Sequence, residues 1–117
     1  MIIEDVVLSD PPGRVVLIFI RTLEGNLLDV KGRVWFVPPD PWDIDRAWTV
    51  MNLEVNTRYR NQGIGTSLMK YLVDKYGTRQ MRLSVSEDNV AARKIYERVG
   101  FVETSSTEMA REPNKPE

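Results

Sequence analysis

The stretch RYRNQGIGT, residues 58–66, lies where a predicted strand ends and a predicted helix begins. Residues 47–55 before it alternate in the manner of a strand, and the apolar residues of 64–76 after it follow helical spacing. Gly63 and Gly65 let the backbone approach a ligand, and the free N–H groups of a helix start favour negative charge. Arg58 and Arg60 would add charge-assisted hydrogen bonds. The stretch therefore predicts either a diphosphate-binding loop or a tight loop whose glycines ease the packing of the helix on the strand.

Two other phosphate-binding motifs do not fit this stretch. A P-loop requires Gly-Lys-Ser/Thr, whereas Gly65 is followed by Thr66 and Ser67. A dinucleotide-binding fingerprint favours glycine or alanine at the position of Leu68.

The flanking patterns predict an α/β (α+β) fold with a mixed central sheet of about six strands and two main helices. Strands are predicted over residues 2–8, 15–21, 28–37, 47–55, 81–85 and from 101 to about 109, with a hairpin turn at 23–26. Helices are predicted from Ile64 to Tyr76 and from Ala92 to Val99, each followed by glycine. Residues 47–85 predict a right-handed crossover between parallel strands. We expect one domain over residues 1–107 and a polar, flexible tail over 108–117.

Composition excludes several classes of chemistry. The chain has 117 residues, a net charge of −1, no cysteine and no histidine. A thiolate metal site, a cysteine nucleophile and a Ser-His-Asp triad are therefore excluded, and no metal is expected. The longest apolar run, Val15–Ile20, is too short to cross a bilayer, and no signal peptide is recognised. We expect a cytoplasmic protein with no membrane partner and, because its charges are balanced, no nucleic-acid partner.

A second cluster, NVAARKIYERVGF at residues 89–101, follows the strand at 81–85. Together with RNQGIG at 60–65, it resembles the GNAT superfamily of acyl-CoA-dependent N-acetyltransferases. The first segment is similar to the Arg/Gln-x-x-Gly-x-Gly/Ala pyrophosphate loop of that family, and the second to its Asn-x-x-Ala-x-x-x-Tyr-x-x-x-Gly-Phe segment. The resemblance covers residues 47–101 and implies a GNAT-like fold, with acetyl-CoA as cosubstrate and an amine as acceptor.

The resemblance assigns the coenzyme to three segments of the chain. The main chain of 53–55 would pair with the pantetheine arm, and the amides of 62–66 would hold the pyrophosphate. The segment that begins at Asn89 would contact the arm, and Tyr96 would protonate the leaving thiolate. The implied coenzyme-binding residues are Leu53, Val55, Arg60, Asn61, Gln62, Gly63, Ile64, Gly65, Thr66, Asn89, Ala92, Arg93 and Tyr96.

The catalytic residues each have a second interpretation. Tyr96 shares an apolar helix face with Ile95 and Val99, so it is either the general acid or a core aromatic. Without a cysteine, direct attack in a ternary complex is expected. Some members of the family carry a glutamate base at the position of Ser84, which cannot serve. Glu54, placed by strict alternation on the face of Val50, is either the base or a surface charge.

The resemblance is incomplete at the front of the chain. Family members carry helices between the first two strands, whereas here only a Pro-Pro-Gly turn separates residues 8 and 15. The acceptor site is therefore either open, as suits a protein rather than a small-molecule amine, or completed by a second subunit in a homodimer. The alternative function is a non-catalytic acyl-CoA-binding or protein-interaction module on the same fold.

Overall fold

A computed structural model describes residues 2–10, 13–21 and 30–114, and in this part of the chain seven strands form one sheet. The strands are β1 (Ile2–Asp10), β2 (Gly13–Arg21), β3 (Val30–Val37), β4 (Trp48–Val55), β5 (Met81–Ser84), β6 (Val102–Ser105) and β7 (Glu108–Arg111), and the helices are α1 (Ile64–Tyr76) and α2 (Val90–Arg98). The strand order is β1-β2-β3-β4-β5-β7-β6. Only the central β4–β5 pair is parallel among these strands.

The core lies between α1 and one face of the sheet. Val16, Ile18 and Ile20 alternate along β2 and are buried, because every second side chain of a strand points to the same face. The apolar stripe of α1 covers them and packs on β2, β3 and β4. At Gly32 a β-carbon would lie 2.8 Å from the Cγ2 atom of Ile64. Any residue with a β-carbon at position 32 would therefore clash with the start of α1.

The predicted mixed sheet with two helices is confirmed, but the chain has one strand more than expected. The single strand expected over 101–109 is a hairpin of β6 and β7, and β7 lies between β5 and β6. The assignment of residues 108–111 to a flexible tail is wrong, because Met109 is buried and pairs with Leu83. The turn predicted at 23–26 lies outside the described residues.

No helix separates β1 from β2 in the described part of the chain. The two strands pair along their whole length, from Ile2 opposite Arg21 to Asp10 opposite Gly13. This agrees with the expectation that helices between the first two strands are missing. Neither described helix is long and apolar enough to cross a membrane.

A β-bulge in β4 changes which side chains face α1. The register between β3 and β4 shifts after Trp35, which is paired with Met51, and Asn52 takes a positive φ of 53°. The extra residue reverses the alternation beyond it, so Glu54 pairs with Arg33 on the face opposite α1. The prediction that Glu54 shares the face of Val50 is therefore wrong.

Candidate active site

An open groove of about 890 Å³ lies between the end of β4, the start of α1 and one side of α2. β4 pairs with β5 only from Trp48 to Val50, and the two strands then separate. The edge of β4 from Met51 to Val55 is consequently unpaired on that side within the described residues. The lining residues are Leu53, Glu54, Val55, Tyr59, Arg60, Asn61, Gly63, Ile64, Gly65, Thr66, Asn89, Ala91, Ala92, Lys94, Ile95 and Arg98.

The start of α1 opens into this groove without a capping side chain. Gly63 is the N-cap residue at φ 77°, and no side chain there accepts a hydrogen bond from the helix. The first helical hydrogen bond runs from the amide of Ser67 to the carbonyl of Gly63, at 2.9 Å. The preceding amides, of residues 64–66, have no acceptor within the helix. Together with the helix dipole, they favour an anion in the groove.

Basic side chains reinforce this preference for an anion. Arg60, Lys94 and Arg98 line the groove, and Glu54 is the one acidic residue among the lining residues. The carboxylate of Glu54 accepts a hydrogen bond from Arg33 at 2.9 Å, so part of its charge is balanced. The electrostatics of the groove therefore suit a polyanionic ligand.

Sequence reasoning missed the contribution of α2 to the groove beyond Asn89 and Ala92. Ala91, Lys94, Ile95 and Arg98 also line it. Their spacing of three, four and seven residues is that of one helix face, so helical periodicity was the signal that could have found them.

Asn89 and Arg93 hold α2 in different ways. The side chain of Asn89 caps α2 by accepting a hydrogen bond from the amide of Ala92 at 3.2 Å, which leaves its NH2 group for a ligand. The guanidinium of Arg93 instead donates to the carboxylate of Glu103 at 2.9 Å and to the carbonyl of Ser106. The Arg93 side chain does not line the groove, because it ties α2 to the β6–β7 hairpin. Gln62 is exposed and does not line the groove either.

Tyr96 lies on the inner side of α2 rather than in the wall of the groove. Its side chain is buried and packs against Phe101, with the ring centroids 6.0 Å apart. Burial raises the pKa of the Tyr96 phenol, because the charged phenolate is poorly solvated there. Its hydroxyl has no hydrogen-bond partner within the described residues. The residue combines a core position with a phenol that stays protonated.

The other predicted coenzyme-binding residues come together in the one groove. These are Leu53, Val55, Arg60, Asn61, Gly63, Ile64, Gly65, Thr66, Asn89 and Ala92. Within the described residues, no cluster of three or more acidic side chains is placed to hold a metal ion.

Comparison with known proteins gives a consistent set of relatives. Residues 6–101 match the family model described as "Acetyltransferase (GNAT) family". The chain is 37% identical over 65 residues to the ribosomal protein bS18-alanine N-acetyltransferase of Escherichia coli K12, covering 53% of this chain and 43% of that protein. It is 29% identical over 75 residues to the spermine/spermidine N(1)-acetyltransferase of Bacillus subtilis 168, covering 61% of this chain and 40% of that protein. The match thus spans less than half the length of either curated relative.

A solved structure shows the same fold at low sequence identity. The NatC complex bound to Gag peptide and CoA matches with a TM-score of 0.65 and 18% identity, covering 86% of this chain and 71% of the matched chain.

Proposed function

The chain belongs to the acetyltransferase (GNAT) family, and from this premise we propose that it transfers an acetyl group from acetyl-CoA to an amine within a ternary complex. One observation carries the proposal. The uncapped start of α1 and three basic side chains face the same groove as the unpaired edge of β4. A coenzyme A molecule carries both chemistries that this groove complements, a charged pyrophosphate and an extended amide-bearing arm.

The groove offers a distinct contact for each part of the coenzyme. The amides of residues 64–66 donate hydrogen bonds to the pyrophosphate oxygens, and Arg60, Lys94 and Arg98 neutralise its charge. The pantetheine arm lies along β4 beside Leu53 and Val55, where its amide groups take the place of a neighbouring strand. The free NH2 group of Asn89 donates to a carbonyl of the same arm.

Tyr96 protonates the departing sulfur and regains its proton, through water, from the acylated nitrogen, so the transfer itself consumes no net proton. The amine nitrogen attacks the thioester carbonyl, a C–N bond forms, and the C–S bond breaks to release the coenzyme as a thiolate. A free thiol has a pKa of about 8.5 and a phenol one of about 10, so proton transfer accompanies departure of the sulfur. Because burial raises the pKa of Tyr96, the proton is present on the phenol throughout the neutral range.

The acceptor is a primary amine, on a protein or on a small molecule. Both kinds are named among the relatives, a ribosomal protein alanine in one and spermine or spermidine in the other. Because β1 and β2 pair as far as Asp10 and Gly13, no helix lies between these described strands to cover the acceptor side of the sheet.

A non-catalytic acyl-CoA-binding module is the second candidate. It is favoured by the ion pair of Glu54 with Arg33, because Glu54 is then the surface charge that was the alternative to a catalytic base. Steady-state release of free coenzyme A with peptide amines and polyamines separates the two functions. Tight coenzyme binding with no release of coenzyme A would favour the module.

The coenzyme site is tested by the substitution Gly63→Glu. A side chain at φ 77° is strained, would enter the open space beside the helix start, and would repel a phosphate. We expect coenzyme A to bind about a hundredfold more weakly or not at all, a loss of about 2.7 kcal/mol or more, in titration calorimetry. Thr78→Glu adds the same charge at an exposed position beyond α1 and should bind normally. Undiminished affinity of Gly63→Glu would reject this site.

A further inference from the structure

A second groove, of about 400 Å³, lies under β4, β5 and β7. Thr49, Ser84 and Glu108 line it. Each of these residues is next in its strand to a buried core residue, namely Val50, Leu83 and Met109. Their side chains therefore point to the face of the sheet opposite the core. We call this feature the lower groove.

The lower groove ends where the sheet opens. The pairing of β4 with β5 stops at Val50 and Leu83, and Thr49 and Ser84 are their immediate neighbours. The proposed coenzyme groove begins at Leu53, beyond the same point and on the face of α1. The gap between the two strands thus lies between the two grooves, so an amine in the lower groove meets a thioester held above it.

Glu108 brings a carboxylate to this gap. It is paired with Ser84 in the β5–β7 register, and side chains paired in this way lie about 5 Å apart. Within the described residues the Glu108 carboxylate makes no ion pair or side-chain hydrogen bond. The nearby guanidinium of Arg82 is held by Asp43 at 3.3 Å. Glu108 is therefore available to a ligand, whereas Glu54 is engaged by Arg33.

We propose that Glu108 is the catalytic base, accepting a proton from the acceptor amine in the lower groove, an inference that rests on the proposed acetyltransferase function. The acceptor arrives as an ammonium ion and gives one proton to Glu108, which passes it to water. The neutral amine attacks, the C–N bond forms and the C–S bond breaks. Tyr96 protonates the departing sulfur and regains its proton, through water, from the acylated nitrogen. The net products are the amide, the free thiol and one proton.

The substitution Glu108→Gln tests this assignment, because it keeps the shape of the side chain and removes its basicity. With an alanine-terminated peptide or spermidine as acceptor, we expect kcat to fall about 10²-fold, while the affinity for coenzyme A in calorimetry is unchanged. Glu97→Gln removes the same charge at an exposed position of α2 outside both grooves and should keep the wild-type kcat.

Moving the carboxylate from β7 to the paired position on β5 tests whether a carboxylate at this gap is what the reaction needs. In the double variant Ser84→Glu, Glu108→Gln the carboxylate returns to the gap from the paired position, and we expect it to recover at least about tenfold of the lost kcat. A wild-type kcat in Glu108→Gln, or no recovery in the double variant, would overturn the assignment while leaving the acetyltransferase intact. A wild-type protein that binds coenzyme A but acetylates neither acceptor would overturn the proposed function itself.

Discussion

The Tyr96 side chain packs in the core, and the proposed mechanism also gives its hydroxyl a chemical role. Its ring packs on Phe101 and is almost fully enclosed, so the ring contributes to the core whatever the hydroxyl does. The same burial raises the pKa of the phenol. The hydroxyl has no hydrogen-bond partner among the described residues and, since no buried polar atom there is left without one, it reaches solvent. A departing thiolate in the adjacent groove would be such a partner.

Replacement of Tyr96 by phenylalanine separates these two contributions. Tyr96→Phe keeps the ring and removes the donor, so we expect kcat to fall about 10²-fold with little change in melting temperature or coenzyme A affinity. Steady-state kinetics and calorimetry on the same preparation provide the measurement. An unchanged kcat would assign Tyr96 to the core alone.

At the scale of elements, a carboxylate of the first strand accepts three hydrogen bonds from α1. Asp5 accepts hydrogen bonds from the hydroxyls of Tyr71 and Tyr76, at 3.1 and 2.6 Å, and from the ammonium of Lys75 at 2.6 Å. Burial raises the pKa of Asp5, but the three donors together outweigh it and lower that pKa. Burial and the bond to Asp5 raise the pKa of Tyr76 to about 12, so the phenol keeps donating at neutral pH.

This anchor predicts a pH-dependent stability. Because its pKa is lowered on folding, Asp5 contributes stability that is present above its unfolded value of 3.8 and is lost as the pH falls through the folded pKa. Asp5→Asn should lower the free energy of unfolding by about 1–2 kcal/mol at neutral pH. That free energy should then depend less on pH below about pH 4 than it does in the wild type. Urea unfolding from about pH 6 to about pH 2.5 measures both effects. Asp74→Asn, at an exposed position of α1, is the control, and an equal acid slope in both variants would contradict the anchor.

The long elements could be predicted from local sequence. The bounds of α1 agree with the expectation, because the helical period of Ile64–Tyr76 extends over several turns and glycines flank it. Residues 60–66 other than Gln62 lie in the groove, and the sequence could point to this segment because its chemistry resides largely in the backbone. The bulge at Asn52 could not, because it depends on pairing with β3 rather than on the sequence of β4.

The short strand β7 and the contacts of long side chains could not be predicted from the sequence. β7 has four residues, and one buried methionine gives no detectable period in a polar stretch. The family resemblance implied Arg93 as a coenzyme contact, but it could not give the reach of this side chain, which extends to Glu103. The proposed role of Glu108 could not be predicted either, because it depends on β7, the strand that pairs Glu108 with Ser84.

At the scale of the whole molecule, Arg111 joins the ends of both helices. It lies at the end of β7 and donates to the carbonyl of Val99 beyond α2 at 2.7 Å, and to the carbonyl of Gly77 beyond α1 at 3.3 Å. A further bond, of 2.6 Å, reaches the side-chain oxygen of Asn114. The backbone amide of Asn114 also donates to the carbonyl of Gly77. Because α1 and α2 form two sides of the proposed coenzyme groove, this guanidinium links them at the far end of the molecule.

The substitution Arg111→Met keeps the apolar stem and removes the donors. It leaves the carbonyls of Val99 and Gly77 without this partner, so we expect a loss of about 2 kcal/mol in the free energy of unfolding, measured in urea. Lys70→Met, which removes a charge from an exposed position of α1, should change that free energy by less than about 0.5 kcal/mol. A frayed tail from residue 108 predicts the opposite, namely that both variants unfold at the same urea concentration as the wild type. Coenzyme A affinity of the folded Arg111→Met protein should also fall, because the angle between α1 and α2 is no longer fixed, whereas Lys70→Met should bind normally.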